Sequence, residues 1–189
     1  MSNLKDIYSE NDQNIMLKAA RSFIKSKFKK EKFLLDLNSL PENFLKIRSC
    51  FVTLHSSNDM LRGCIGHIEP FEYLIDNIKH NAINAAFNDP RFPAIFDLEE
   101  LKSIKIEISI LTVPEKIDSY EEIEIGKHGI ILNKSGYSSV FLPQVALEQG
   151  WDLSETLMHL SLKAGLSCDD WKDSECKFKI FEATYFKER

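Results

Sequence analysis

The apolar residues that follow Pro70 fall on one helical stripe, and by Ile104 their period has changed to two. Phe71, Leu74, Ile75, Ile78, Ala82, Ala85 and Ala86 recur at about 3.6-residue spacing over roughly four turns. Pro70 suits the first turn of a helix, and the pattern stops near Asn88, ahead of Pro90. Ile104, Ile106, Ile108 and Ile110 then alternate with Lys105, Glu107 and Ser109, the mark of a half-buried strand. A one-sided helix and a one-sided strand each need a partner layer, so helices must pack on a sheet.

The flanking sequence extends this picture. Residues 11–30 read as an amphipathic helix with Leu17, Ala20, Ile24 and Phe28 on one face and a basic end. Phe33, Leu34, Leu35 and Leu37 form a short piece before the loop at Pro41. Residues 51–54 and 61–68 are expected to pair as an antiparallel hairpin across Ser56-Ser57-Asn58-Asp59. Asp97-Leu98-Glu99-Glu100-Leu101 reads as a helical turn, and 123–126 as a short extended piece. A second hairpin, 129–132 with 138–142, turns at Asn133-Lys134-Ser135-Gly136. Helices follow at 144–149, ending on Gly150, and from Asp152 or Ser154 to Gly165. The last stretch, 178–186, is apolar on both phases and is expected as one strand inside the sheet. The fold class is therefore α+β, a mainly antiparallel sheet flanked by helices, in a single domain over 1–189.

A net charge of −5 argues against a broad basic face for nucleic acid. No apolar run is long enough to cross a bilayer, and the first residues, Met1 to Asp6, lack the core of a signal peptide, so a cytoplasmic location is expected. Cys50, Cys64, Cys168 and Cys176 show neither Cys-x-x-Cys nor zinc-finger spacing.

The chemistry centres on Leu61-Arg62-Gly63-Cys64-Ile65-Gly66, because a strand interior takes two glycines only where backbone bends or something approaches closely. On a straight strand Arg62, Cys64 and Gly66 share one face, while Gly63, Ile65 and His67 share the other. Cys64 and His67 thus point apart, and no metal site is assigned. A guanidinium beside Cys64 would favour thiolate over thiol. Two readings of the motif stand side by side. In one, Cys64 is a nucleophile or thiol ligand, Arg62 holds an anion, Gly66 leaves a bare patch through which a ligand approaches the sulfur, Gly63 is a further substrate-binding candidate, His128 is a candidate base, and Glu107 orients either group. In the other, Cys64 is an apolar filler, Arg62 braces the sheet against Glu107 or Asp89, the glycines admit a helix, and His128 is a turn residue. Arg91 likewise either ties to a carboxylate between its prolines or reaches an anionic ligand. His55, His80 and His159 are taken as surface or helix-face residues.

Four stretches carry a resemblance: the cysteine motif, Asp89-Pro90-Arg91-Phe92-Pro93, Gly126-Lys127-His128-Gly129-Ile130, and Phe141-Leu142-Pro143-Gln144-Val145 running on to Glu148-Gln149-Gly150-Trp151. In this order they resemble the AMMECR domain family, whose prokaryotic members are also called AmmeMemoRadiSam system protein A. The resemblance implies two unequal lobes, an antiparallel sheet with flanking helices, and a cleft beside the cysteine motif. It also implies Memo-like and radical-SAM proteins as partners in a modification pathway. Two functions follow as expectations: an enzyme or enzyme component acting on a small or modified substrate, or a non-catalytic module for a protein or nucleic-acid partner.

Overall fold

The structure, a computed structural model, describes residues 8–29 and 40–189. The apolar piece expected at Phe33–Leu37 lies outside the described residues. The chain divides into two compact units: the residues up to Leu111 together with Thr184–Arg189, and Thr112–Ala183.

The first unit carries α1 (Glu10–Lys29), β1 (Cys50–His55), β2 (Leu61–Gly66), α2 (Leu74–Phe87), α3 (Leu98–Ser103), β3 (Lys105–Leu111) and β8 (Ala183–Lys187). Its sheet runs β2-β1-β3-β8. β1 pairs antiparallel with both β2 and β3, which confirms the first hairpin. Cys50, Val52 and Leu54 of β1 alternate inward, as do Ile106, Ile108 and Ile110 of β3. They meet Met16, Ala20 and Ile24 of α1 and Leu74, Ile78, Ala82 and Ala85 of α2 in one core. Each fully buried aliphatic side chain there contributes roughly 1.5–3 kcal/mol. Phe51, Thr53, His55, Lys105 and Glu107 occupy the opposite sheet face and are half-buried.

Helix α2 starts later than its apolar stripe predicts. Tyr73 is extended at its N-cap and forms a β-bridge with Ile47, so Phe71 lies outside the helix and is exposed. At the other end of the motif hairpin, Gly63 faces α2. A Cβ there would stand 2.2 Å from the Ala85 carbonyl oxygen, so glycine is what lets the helix approach.

The second unit carries β4 (Glu115–Ile117), β5 (Gly129–Lys134), β6 (Tyr137–Phe141), α4 (Pro143–Gln149), α5 (Leu153–Lys163) and β7 (Lys177–Phe181). Its sheet runs β4-β7-β5-β6 and is antiparallel throughout. Pro143 opens α4 and Gly150 closes it at φ 70°, the left-handed cap that glycine supplies without strain. Asp152 and Glu155 form a capping box on α5. Leu157, Leu160 and Trp171 pack with Ile130, Leu132 and Phe178 in a separate core.

Three corrections follow. One sheet was expected and there are two. The terminal stretch was expected as one interior strand, yet it breaks at Glu182: β7 is interior to the second sheet, whereas β8 is an edge of the first. Residues 123–126 also depart from the extended piece expected, and enter a turn that positions His128.

Candidate active site

Cys64 sits on β2, an edge strand, directly opposite Thr53. Its backbone points away from β1. The Cys64 N–H donates to Asp89 Oδ2 at 2.8 Å, and its carbonyl accepts from Arg91 Nη2 at 2.9 Å. The side chains of Asp89 and Arg91 thus satisfy this stretch of open edge as a neighbouring strand would. Cys64 and Thr53 then form the non-hydrogen-bonded kind of cross-strand pair, in which side chains come closest. That is why the Thr53 hydroxyl reaches Cys64 Sγ, to which it donates at 3.2 Å.

Thr53 also stands opposite Glu107 of β3. Cys64, Thr53 and Glu107 therefore make one row across three strands, on the face turned away from α1 and α2. His55, two residues along β1 on the same face, places Nε2 3.5 Å from Glu107 Oε2. Lys105 lies opposite His55.

The guanidinium beside the thiol is Arg91 and not Arg62. The register slips between Leu54 and His55, so His55 faces Leu61 and Arg62 has no partner in the pairing. Arg62 turns to Glu100 Oε1, 2.9 Å from Nε, and to the carbonyls of Pro93 and Ala94. It braces the Pro93–Glu100 segment, and the carboxylate it finds is neither Glu107 nor Asp89.

Arg91 is held by Asp89, whose Oδ1 takes Nε at 3.0 Å and whose Oδ2 takes Nη2 at 2.8 Å. The Asp89 side chain is 1% exposed and that of Arg91 is 55% exposed. Arg91 holds the Asp89 carboxyl well below the usual carboxylate range, against the opposing effect of burial, with help from the Cys64 and Arg91 N–H groups.

Burial pushes the Cys64 thiol up. The Thr53 hydrogen bond and Arg91 pull it down, but Asp89 and Glu107 push the same way as burial. The net shift favours the thiol over the thiolate, opposite in direction to what a guanidinium alone would produce. The opening expected over Gly66 is also filled: a Cβ there would lie 2.3 Å from the Phe51 ring. Gly63 faces α2 and not the thiol.

His128 belongs to the second unit. Its backbone N–H donates to the Glu124 carbonyl at 3.0 Å, and its Nδ1 accepts the Glu124 N–H at 3.1 Å, closing the turn before β5 from both sides. Among the described residues no three His, Cys, Asp or Glu side chains converge as a metal set. No described helix is long and apolar enough to cross a membrane.

Thr53 is the site residue that sequence reasoning does not single out, Asp89 enters it only as a partner for Arg62, and His55, expected on a surface or helix face, is instead a half-buried residue of β1. Thr53 carries no signal of its own, being an ordinary strand residue. Asp89 does carry one, since an Asp before Pro starts a turn in which its side chain takes the N–H two residues on, here that of Arg91.

Fold and site together define an α+β protein with two antiparallel sheets and a cysteine clamped on an edge strand by an Asp–Arg pair. Residues 17–186 match the AMMECR1 family model, and the chain belongs to that family. It is 45% identical over 176 residues to Protein MJ0810 of Methanocaldococcus jannaschii, covering 89% of this chain and 86% of that one. It is 47% identical over 148 residues to Protein MK0488 of Methanopyrus kandleri, covering 75% and 72% respectively. The crystal structure of the uncharacterized protein PH0010 from Pyrococcus horikoshii matches with a TM-score of 0.82 at 35% identity, covering 93% of this chain and 90% of that one.

Proposed function

We propose that this protein is an enzyme, or an enzyme component, that uses the Cys64 thiol on a small or modified substrate bearing an anionic group. The observation that carries this reading is the 3.2 Å hydrogen bond from Thr53 to Cys64 Sγ, on a sheet face that also bears Glu107. A cysteine serving only as filler needs no such donor. In the reaction the sulfur bonds to an electrophilic carbon, the leaving group departs with the bonding pair, and the thiol proton passes to a base. Arg91 supports the anion preference, because its bonds to Asp89 and Cys64 fix a guanidinium that is still 55% exposed toward an incoming carboxylate or phosphate.

The family resemblance supports Memo-like and radical-SAM proteins as partners in this chemistry. The free state of all four cysteines agrees with a cytoplasmic, reducing compartment. Iodoacetamide labelling of the native chain from neutral to alkaline pH, read by peptide mass spectrometry, tests the proposal. Labelling of Cys64 in the folded protein is the expected result, and labelling only on unfolding overturns it.

A second reading, a non-catalytic module for a protein or nucleic-acid partner, draws on the burial that pushes the Cys64 thiol up. Partner capture that survives Cys64→Ala undiminished, from a chain whose thiol stays unlabelled, supports it.

A further inference from the structure

Resting on the reading of Cys64 as the working thiol, we propose that the His55–Glu107 pair receives its proton through the Thr53 hydroxyl. A neutral thiol must lose a proton before it attacks. The nearby guanidiniums cannot accept one. Asp89 is filled, since its oxygens take the Cys64 N–H and the Arg91 guanidinium. His128 Nδ1 already accepts the Glu124 N–H.

The sheet register points to one path. Thr53 is flanked by Cys64 on β2 and by Glu107 on β3, so residue 53 stands in the row between thiol and carboxylate, with its hydroxyl bonded to the sulfur. A hydroxyl can accept a proton on one side and donate on the other. His55 Nε2 is buried and makes no hydrogen bond among the described residues, although Glu107 Oε2 lies 3.5 Å away. A buried ring nitrogen left in that condition is an exception that calls for a reason.

The proton balance is simple. The Thr53 hydroxyl, which donates to Sγ in this structure, first turns its proton toward the pair; the S–H proton then moves to Thr53 Oγ1 and the original Thr53 proton to Glu107 or His55. A thiolate remains on one side of the row and the added proton on the other, with nothing oxidised or reduced. The charged groups around the path are Arg91 and Asp89 beside Cys64, and Lys105 opposite His55. Arg62 at the strand bend is paired with Glu100.

The sign of one substitution separates a relay from simple electrostatics. Glu107 as a mere negative charge disfavours the thiolate, so Glu107→Gln would speed labelling of Cys64. As a proton acceptor its loss slows labelling. The experiment measures the pH profile of Cys64 alkylation by iodoacetamide in the full chain, for wild type, His55→Gln, Glu107→Gln, Thr53→Val and Thr53→Ser. Wild type and Thr53→Ser should share a profile with two inflections. The other three should lose one inflection and react about tenfold more slowly at neutral pH, the lower end of what a positioned base supplies. A faster Glu107→Gln variant, or profiles that superimpose on wild type, overturns the relay and leaves the Cys64 reading intact. A wild-type Cys64 that stays unlabelled until unfolding overturns both. Should the His55 and Glu107 variants fail to fold, equal rates in Thr53→Val and Thr53→Ser overturn the relay alone.

Discussion

Asp89 accepts the backbone N–H of Cys64 at 2.8 Å from a side chain that is 1% exposed. The thiol's position therefore depends on a carboxylate beyond the end of α2. Asp89→Ala removes that acceptor and leaves both the Cys64 amide and the Arg91 guanidinium without their partner. The expected loss is about 2–3 kcal/mol, the range for a hydrogen bond to a charged group with a stranded donor. Urea unfolding, with the slope checked against wild type, measures it.

The same carboxylate makes stability depend on acid. Arg91 keeps the folded-state Asp89 pKa below its unfolded value, despite burial. A depressed carboxyl contributes stability that is fully present above the unfolded value, near 3.9, and is lost as pH falls through the folded one. The urea midpoint of wild type should therefore drop as pH is lowered below about 4, where model carboxylates protonate. Asp89→Asn should start lower and fall less over that window. Parallel curves for the two proteins would rule out this assignment.

Gly63→Ala should be among the most damaging single-methyl additions in the chain. The added Cβ would stand 2.2 Å from the Ala85 carbonyl oxygen, which is helix backbone and cannot swing aside. Overpacking of this kind costs about 1–3 kcal/mol, and more where backbone must move. A thermal midpoint lowered by several degrees is expected. An unchanged midpoint would mean that α2 is free to shift.

What the sequence made legible depends on periodicity. The α2 stripe and the Ile106–Ile110 alternation place helix and strand because burial follows a fixed repeat in each. The break at Glu182 has no such mark: no glycine or proline punctuates Lys177–Lys187, and both phases are apolar, so two strands in two sheets read as one. At the site, alternation grouped Cys64 with Arg62 and Gly66 on one face of its strand and set Glu107 on the polar face of its own. It could not show Thr53 between Cys64 and Glu107, because cross-strand neighbours depend on register. It assigned the thiol's cation to Arg62, because alternation assumes a straight strand and β2 slips register at that residue.

The cysteines should label in an order set by burial. Cys168 is exposed and should react first. Cys50 is fully buried, and desolvation pushes its thiol up to about 12, so it should stay unmodified in the native state even at alkaline pH. Cys176 is also buried and shifted upward by desolvation, and should lag behind Cys64. Early labelling of Cys50 would show that α2 lifts from β1.

Asn77 ties α2 to the start of β1. Its Oδ1 accepts the Cys50 N–H at 2.9 Å and its Nδ2 donates to Glu72 Oε1 at 2.9 Å, while Asn81 donates to the Cys50 carbonyl at 3.0 Å. Both asparagines are fully buried, so the first residue of β1 is paired with α2 side chains. Asn77→Leu keeps the branched outline but strands the Cys50 amide in the core, at a cost of about 1–3 kcal/mol. Hydrogen exchange at Cys50 should accelerate by more than the global loss of stability accounts for, because the bond that protects it locally is gone. Exchange that rises only in step with global stability would mean that Asn77 fills space without anchoring the strand.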